Sequence, residues 1–328
     1  MALSIDVVVV AYEQWDLTES CLRHLREQTL AHRLILVDNG SGDDSVRRAR
    51  TAFPGAEVIE LGSRHGFPAA CNAGVAAGDG DVVAQINNDV DCRPDFLEKL
   101  VAPMERDDRV GLVSCRLLRP GGETIDSVGL ACDGTLATFQ RFHGRPFAEG
   151  SLERPVAAGP AGAAALVRRR AWEEVGGWDE GISFYSEDID LALRVRIAGW
   201  RHAIATAAIA THAGSATAGH RSAWQRQHGG FGRGYMLRRY GVLRTRAAAR
   251  ALLTEAIVVA GDTLTGRDLA AVKGRVAGWR AAGRRPRLPM PPADAIEYGI
   301  SFRDSLRLRR GVYFGRRYDG DRAVRPCT

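Results

Sequence analysis

Along the first two thirds of the chain, apolar and polar positions alternate between two kinds of segment. Short runs such as "SIDVVVVAY" (4–12) and "RLILVDNGS" (33–41) are β-branched and apolar on both faces, the pattern of strands covered on both sides. Between them lie stretches with helical spacing. "WDLTESCLRHLREQ" (15–28) opens with Asp16 and has Glu19 three residues on, which predicts a capping box, and places Leu17, Cys21, Leu22 and Leu25 on one face. The rhythm continues with a helix in "DDSVRRARTAF", a strand in "AEVIELG", a small-residue helix in "GFPAACNAGVAAG" and a strand in "DVVAQINND". A helix in "RPDFLEKLVAPM" and a strand in "VGLVSCRLL" follow. This alternation predicts an α/β fold: a mostly parallel sheet with helices on both faces, binding ligands beyond the carboxyl ends of its strands.

From about residue 120 the pattern changes. "GGETIDSVGLACDGTLATFQRFHGRP" is Gly-rich and irregular, which predicts a loop or hairpin covering a site. A strand and short helix are expected in "AAALVRRRAWEEVGGWDE", then a helix with acids in its first turn in "SEDIDLALRVRIAGW", stopped by Gly199. "RHAIATAAIATHAG" reads as a last strand, ending at His212. After about residue 215 the strand pattern is gone. Helical stretches, the Pro-rich "RPRLPMPP" and a tail mixing arginine with aromatics remain. The expected organisation is a core domain over residues 1–215 and a mainly helical, basic extension over 216–328.

Composition sharpens that division. Residues 1–220 carry 22 Lys+Arg and 31 Asp+Glu, a net of −9, whereas residues 221–328 carry 23 and 8, a net of +15. The basic third should therefore favour an anionic surface, and peripheral contact with anionic lipid is the expectation. Solubilising helices that also make a homodimer contact would fit the same charge. Nucleic acid is not an expected partner, since no zinc-finger, recognition-helix or RNP signature is present. The six cysteines are scattered with no C-x-x-C pair, which suits reduced thiols and a cytoplasmic setting. No apolar run approaches the ~20 residues that span a bilayer.

Candidate chemistry sits at the predicted strand ends. "VVAQINNDVD" (82–91) delivers Asn88, Asp89 and Asp91 at the tip of a strand, and an extended chain would turn both carboxylates to one side, toward a hard cation. An Asx turn with solvated acids gives the same spelling. Asp38 follows "LILV" and is an acceptor-only group or a turn former, and the two roles are compatible. In "SEDIDLALR", Glu187 and Asp188 open a helix whose start should keep Asp188 ionised, while Asp190 and Arg194 stand at pairing distance. His212 offers an imidazole that suits Mn²⁺, or a structural histidine. Trp178, Phe184 and Tyr185 are sugar-stacking faces or core packing.

In order and spacing, "VVVVAYEQWD", "LVDNGSGDDS", "HGFPAACNAG", "INNDVD", "VGGWDEGISFYSEDIDLALRVRIAGWR" and "THAG" resemble family 2 glycosyltransferases, with rhamnosyltransferase-like members nearest. The resemblance spans about residues 4–214. It implies a GT-A, Rossmann-like fold and a metal-dependent, inverting transfer from a UDP- or dTDP-sugar to a hydroxyl of a saccharide, lipid-linked saccharide or natural product. It also implies roles. Ala11, Tyr12, Glu13, Asp38, Arg64, Asn88 and Asp89 would bind the nucleotide sugar; Asp89, Asp91 and His212 would hold Mn²⁺ or Mg²⁺. Asp188 would be the base with Glu187 beside it, and Trp178 and Asp179 would face the acceptor. Arg64 could equally be a surface arginine, and Asp91 could hold only an outer-shell water. A non-catalytic nucleotide-sugar-binding protein is the competing reading, which the joint presence of Asp89, Asp188 and His212 disfavours.

Overall fold

The computed structural model describes residues 3–147, 158–214 and 222–314 of the chain. The expected division at 215/216 and the tail from residue 315, with Cys327, lie outside these. Strand β1 (Ile5–Ala11), helix α1 (Trp15–Arg26), β2 (Arg33–Asp38), α2 (Ser45–Ala52), β3 (Glu57–Glu60), α3 (Phe67–Ala77) and β4 (Val82–Asn87) form the expected succession. These strands pair in parallel in the order β3-β2-β1-β4. All of β1 is buried, as its β-branched run requires.

Next come β5 (Val90–Cys92), α4 (Phe96–Arg106), β6 (Val110–Leu118), β7 (Ile125–Ser127), β8 (Leu130–Cys132), β9 (Thr138–Gln140), β10 (Ala164–Arg168), α5 (Arg169–Glu174), α6 (Glu187–Ile197) and β11 (Arg201–His212). The sheet continues from β4 through β10, β6 and β11 to β5. β10 runs antiparallel between β4 and β6, since it is reached through the irregular segment and not through a crossover helix. β8 and β9 form a separate hairpin within the Gly-rich region.

The capping box at Asp16 does not form. Helix α1 starts two residues early, with Gln14 in the left-handed region (φ 52°) as its cap and no side-chain bond there. Asp16 is exposed, and Glu19 instead accepts from the indole N–H of Trp15 at 2.9 Å.

The basic third forms α7 (Ala223–Arg239), α8 (Ala248–Gly266), α9 (Ala270–Ala282) and α10 (Phe302–Phe314). Met236, Leu237, Tyr240 and Val242 belong to the same hydrophobic cluster as the sheet residues Val7, Leu36 and Ile86. Among the described residues no helix is long and apolar enough to cross a membrane. Among the described residues five cysteines are buried and unpaired.

Candidate active site

Strands β1, β2 and β4 end at one rim, and the first half of the site is built there. Ala11 pairs with Asp38 across β1 and β2, and its carbonyl accepts the N–H of Asn39 at 2.8 Å. Asp38 is buried and turns the chain, accepting from the N–H groups of Gly40 (3.2 Å) and Ser41 (3.1 Å). Gly40 has φ +79°, and a Cβ there would meet the Ser63 backbone at 2.4 Å, so this turn lies directly against residues 63–64. That approach helps place Arg64, whose guanidinium stacks over the Tyr12 ring at 4.0 Å. Glu13 follows in the left-handed region (φ 52°), its N–H donating to Ser41 Oγ at 2.8 Å. The expected nucleotide-side residues of β1, β2 and the loop after β3 are thus neighbours.

At the tip of β4, Asn88 and Asp89 form a turn. Asn88 Nδ2 donates to Thr18 Oγ1 on α1 at 3.0 Å. Because the chain is not extended here, Asp91 does not join Asp89. It lies in β5, accepts from Ser20 Oγ at 2.9 Å and sits 3.3 Å from His24 Nδ1, both on α1. The shared occupant expected of the two carboxylates is corrected accordingly: Asp91 ties the sheet edge to a helix.

Asp89 meets His212 instead. β5 pairs antiparallel with β11, His212 opposite Val90, and the N–H of Ala213 donates to the Asp89 carbonyl at 3.0 Å. His212 Nε2 lies 3.5 Å from Asp89 Oδ2, and its Nδ1 lies 2.8 Å from Oδ2 of Asp126 on β7. Asp126 also lies 3.3 Å from His143 Nδ1. Burial would raise the Asp126 carboxyl, but bonds from the two imidazoles hold it down at about 2. An ionised carboxylate only accepts, so His212 Nδ1 carries a proton toward Asp126 and Nε2 faces Asp89. Burial disfavours charge on His212, yet Asp126 and Asp89 push its pKa up to about 10.

Among the described residues no group of three or more His, Cys, Asp or Glu side chains is arranged to hold a metal ion by itself. Asp89 and His212 still suit one. A cation on a nucleotide diphosphate commonly takes one or two protein ligands and fills its shell with phosphate oxygens and water. One carboxylate and one imidazole, the cation taking the place of the Nε2 proton, suit Mn²⁺, and a carboxylate behind the far nitrogen is how metal-binding histidines are usually oriented. Asp126 and His143 escaped the sequence reading because they sit in the irregular segment, where no periodicity or spacing marks them.

The second half of the site starts α6. Tyr185 (φ 63°) and Ser186 (φ 72°) are successive non-glycine residues in the left-handed region, strain that recurs where a site must be aimed. Asp188 Oδ2 accepts the N–H of Gly162 at 3.0 Å, and the neighbouring Ala163 carbonyl accepts the N–H of Asn87 at 2.9 Å. One strand entry therefore joins Asp188 to the tip that carries Asp89. Glu187 is 9 % exposed, and its Oε2 has no hydrogen-bond partner. Burial, then the neighbouring Asp188, push Glu187 up to about 8. Burial also raises Asp188, against the backbone N–H bonds of Ile189 and Gly162. The helix start expected to keep Asp188 ionised is thus opposed by desolvation. A cavity of about 20 Å³, lined by Gln85, Trp178, Glu187 and Asp188 among others, lies against this pair. It could admit a water but no sugar.

The expected acceptor residues are elsewhere occupied. Trp178 is 4 % exposed and packs in the core, 6.5 Å from Trp172 between ring centres, so its face is not open to a sugar. Asp179 accepts from Tyr235 on α7 at 2.5 Å, from Arg285 at 3.0 Å and from the N–H of Gly181 at 2.9 Å, which makes it an anchor for the C-terminal third. Asp190 and Arg194 pair as expected at 2.7 Å.

An α/β fold whose strand ends bring together Asp38 and a carboxylate–imidazole corner, with a second acidic pair at the start of α6 beside them, defines the class of GT-A nucleotide-sugar folds. The family model for Glycosyl transferase family 2 matches residues 6–176, and the chain belongs to that family. It is 31 % identical over 190 residues to the N-acetylglucosaminyl-diphospho-decaprenol L-rhamnosyltransferase of Mycobacterium tuberculosis, covering 51 % of this chain and 62 % of that protein. The O-antigen biosynthesis protein RfbC of Myxococcus xanthus is 27 % identical over 213 residues, 60 % of this chain and 16 % of that one. The chain thus spans less than two thirds of these relatives' length. Among solved structures, GalNAc-T7 with UDP, GalNAc and Mn²⁺ shares the fold at TM-score 0.59 and 13 % identity, covering 77 % of this chain and 50 % of that one. The Pyrobaculum calidifontis mannosyltransferase PcManGT with GDP-Man and Mn²⁺ does so at 0.55 and 19 %, covering 88 % and 77 %.

Proposed function

We propose that the chain is a metal-dependent, inverting glycosyltransferase moving a sugar from a UDP- or dTDP-sugar to a hydroxyl of a saccharide or lipid-linked acceptor. The observation carrying this reading is the Asp89–His212 corner and the Glu187–Asp188 pair flanking one rim, joined through Gly162 and Ala163. The activity of the mycobacterial rhamnosyltransferase makes a deoxyhexosyl donor and an N-acetylglucosaminyl-diphospho-lipid the first substrates to try.

In this reading Asp38 accepts the ring N–H of the base, Asn88 lies against the ribose, and the Arg64–Tyr12 stack borders the nucleotide. Asp89 and His212 hold the divalent ion, which when bound would offset charge on the departing diphosphate. Asp188 accepts the acceptor's hydroxyl proton while that oxygen bonds to the anomeric carbon and the bond to diphosphate breaks from the opposite face. With Glu187 raised to about 8 beside Asp188, the pair retains one proton near neutral pH and carries a single charge.

The test is a panel of UDP-, dTDP- and GDP-sugars with Mn²⁺ or Mg²⁺, measuring binding and slow hydrolysis. Asp188→Asn should keep donor affinity and lose transfer by roughly 10²–10⁴-fold, whereas Asp89→Ala should weaken metal-dependent donor binding. Equal transfer by wild type and Asp188→Asn ends the base assignment.

A further inference from the structure

Helix α8 is built inside out. Its three charged residues, Arg250, Glu255 and Asp262, are all at least partly buried, and no exposed residue of the helix carries a charge. Glu255 is engaged by Arg233 at 3.0 Å, Arg275 at 2.8 Å and Arg309 at 3.0 Å, and Arg250 by Asp133 at 3.1 Å. The outward face instead presents Leu252 (57 % exposed), Leu253 (54 %), Ile257 (40 %) and Leu264 (78 %). With alanines between them, these cover an arc of roughly 140° over about 18 Å of helix. Water is a poor neighbour for such a face, and a charged inner side removes any claim that the helix is merely turned the wrong way.

What covers it is indicated by the helix ends. Arg244 and Arg246 precede α8, Arg267 follows it, and all three are exposed, with Leu269 exposed just beyond. Two copies laid face to face, in either orientation, would set arginine against arginine at both ends. An anionic surface meets both ends favourably. We propose that α8 lies in the plane of an anionic lipid surface, its leucines sunk at the headgroup boundary and its terminal arginines on lipid phosphates. This contact requires neither nucleotide nor metal, so it stands or falls apart from the sugar-transfer reading.

The experiment is flotation of the full chain with phosphatidylcholine vesicles, with and without about a third phosphatidylglycerol, alongside light scattering for oligomeric state. Wild type should float with the anionic vesicles only. Leu253→Ser/Leu264→Ser should lose roughly tenfold or more in partitioning, and Arg244→Gln/Arg246→Gln/Arg267→Gln about fivefold per arginine. All should keep wild-type thermal stability, since the changed side chains are exposed. Absence of flotation, equal flotation of the leucine variant, or a wild-type dimer that this variant converts to monomer each overturns the proposal, the last in favour of self-association.

Discussion

Glu187 and Asp188 occupy the first turn of α6, where a helix dipole alone would keep carboxylates ionised; burial opposes it and prevails at Glu187. For Glu187 the ordinary value is 4.5 and the folded value about 8, so the folded chain retains a proton that the unfolded chain releases. Its stabilising contribution is fully present below about 4.5 and is lost as pH rises through about 8. The melting temperature of wild type should therefore fall between pH 6 and 9 relative to Glu187→Gln, which cannot ionise, and parallel curves would remove the assignment. At this scale the sequence was readable where a side chain closes a strand or opens a helix: Asp38, Asp89, Asp188 and His212 all stand at such ends. It misled where type stood in for position. Trp178 could stack on a sugar or fill a core, and only packing distinguishes the two. Asp126 lay in a segment with no period to read.

Elements were legible wherever one face is apolar, and their contacts were not. The close approach of α7 and α9 rests on glycines four apart on each helix, Gly230 and Gly234 against Gly274 and Gly278. The spellings "GGFGRG" and "GRVAG" hold this spacing, but a glycine in a helix signals either a break or a close neighbour, and the neighbour is not adjacent in sequence. A Cβ on Gly234 would lie 2.0 Å from the Arg275 carbonyl oxygen, and one on Gly278 1.9 Å from that of Phe231. Both contacts are backbone to backbone, so relief requires moving the helices apart. Gly234→Ala should cost about 1–3 kcal/mol. Gly261, in the middle of α8, has nothing within 4 Å of its Cβ position. There the same substitution should stabilise by about 0.5–1 kcal/mol. Urea midpoints for the two variants check the pair, and like signs would show that the glycines are not packing contacts.

The charge division of the chain was plain in its sequence, but much of it is settled within the molecule. Arg285 reaches Asp179, Arg250 reaches Asp133, and Arg196 of the acidic part reaches Asp294 of the basic part. Tyr240 is buried and donates to Asp190 Oδ1 at 2.9 Å, completing the shell of a carboxylate that also binds Arg194. Tyr235 does the same for Asp179. Periodicity could announce helices beyond residue 215 but not that their tyrosines cap acids on α6 and in the loop before it. These contacts tie the C-terminal helices to the strands and helices before residue 215. A chain stopped at residue 214 should lose the C-terminal members of the shared hydrophobic cluster, Met236, Leu237, Tyr240 and Val242 among them, and leave Asp190 short of a partner, and so fail to give a cooperative melt. Tyr240→Phe, which keeps the ring and removes only the hydroxyl, should cost about 1–3 kcal/mol by denaturant titration. If the 1–214 chain instead melts cooperatively at the midpoint of the full chain, the C-terminal helices are an appendage. The inward charges of α8 would then need another explanation than mutual support between the two parts.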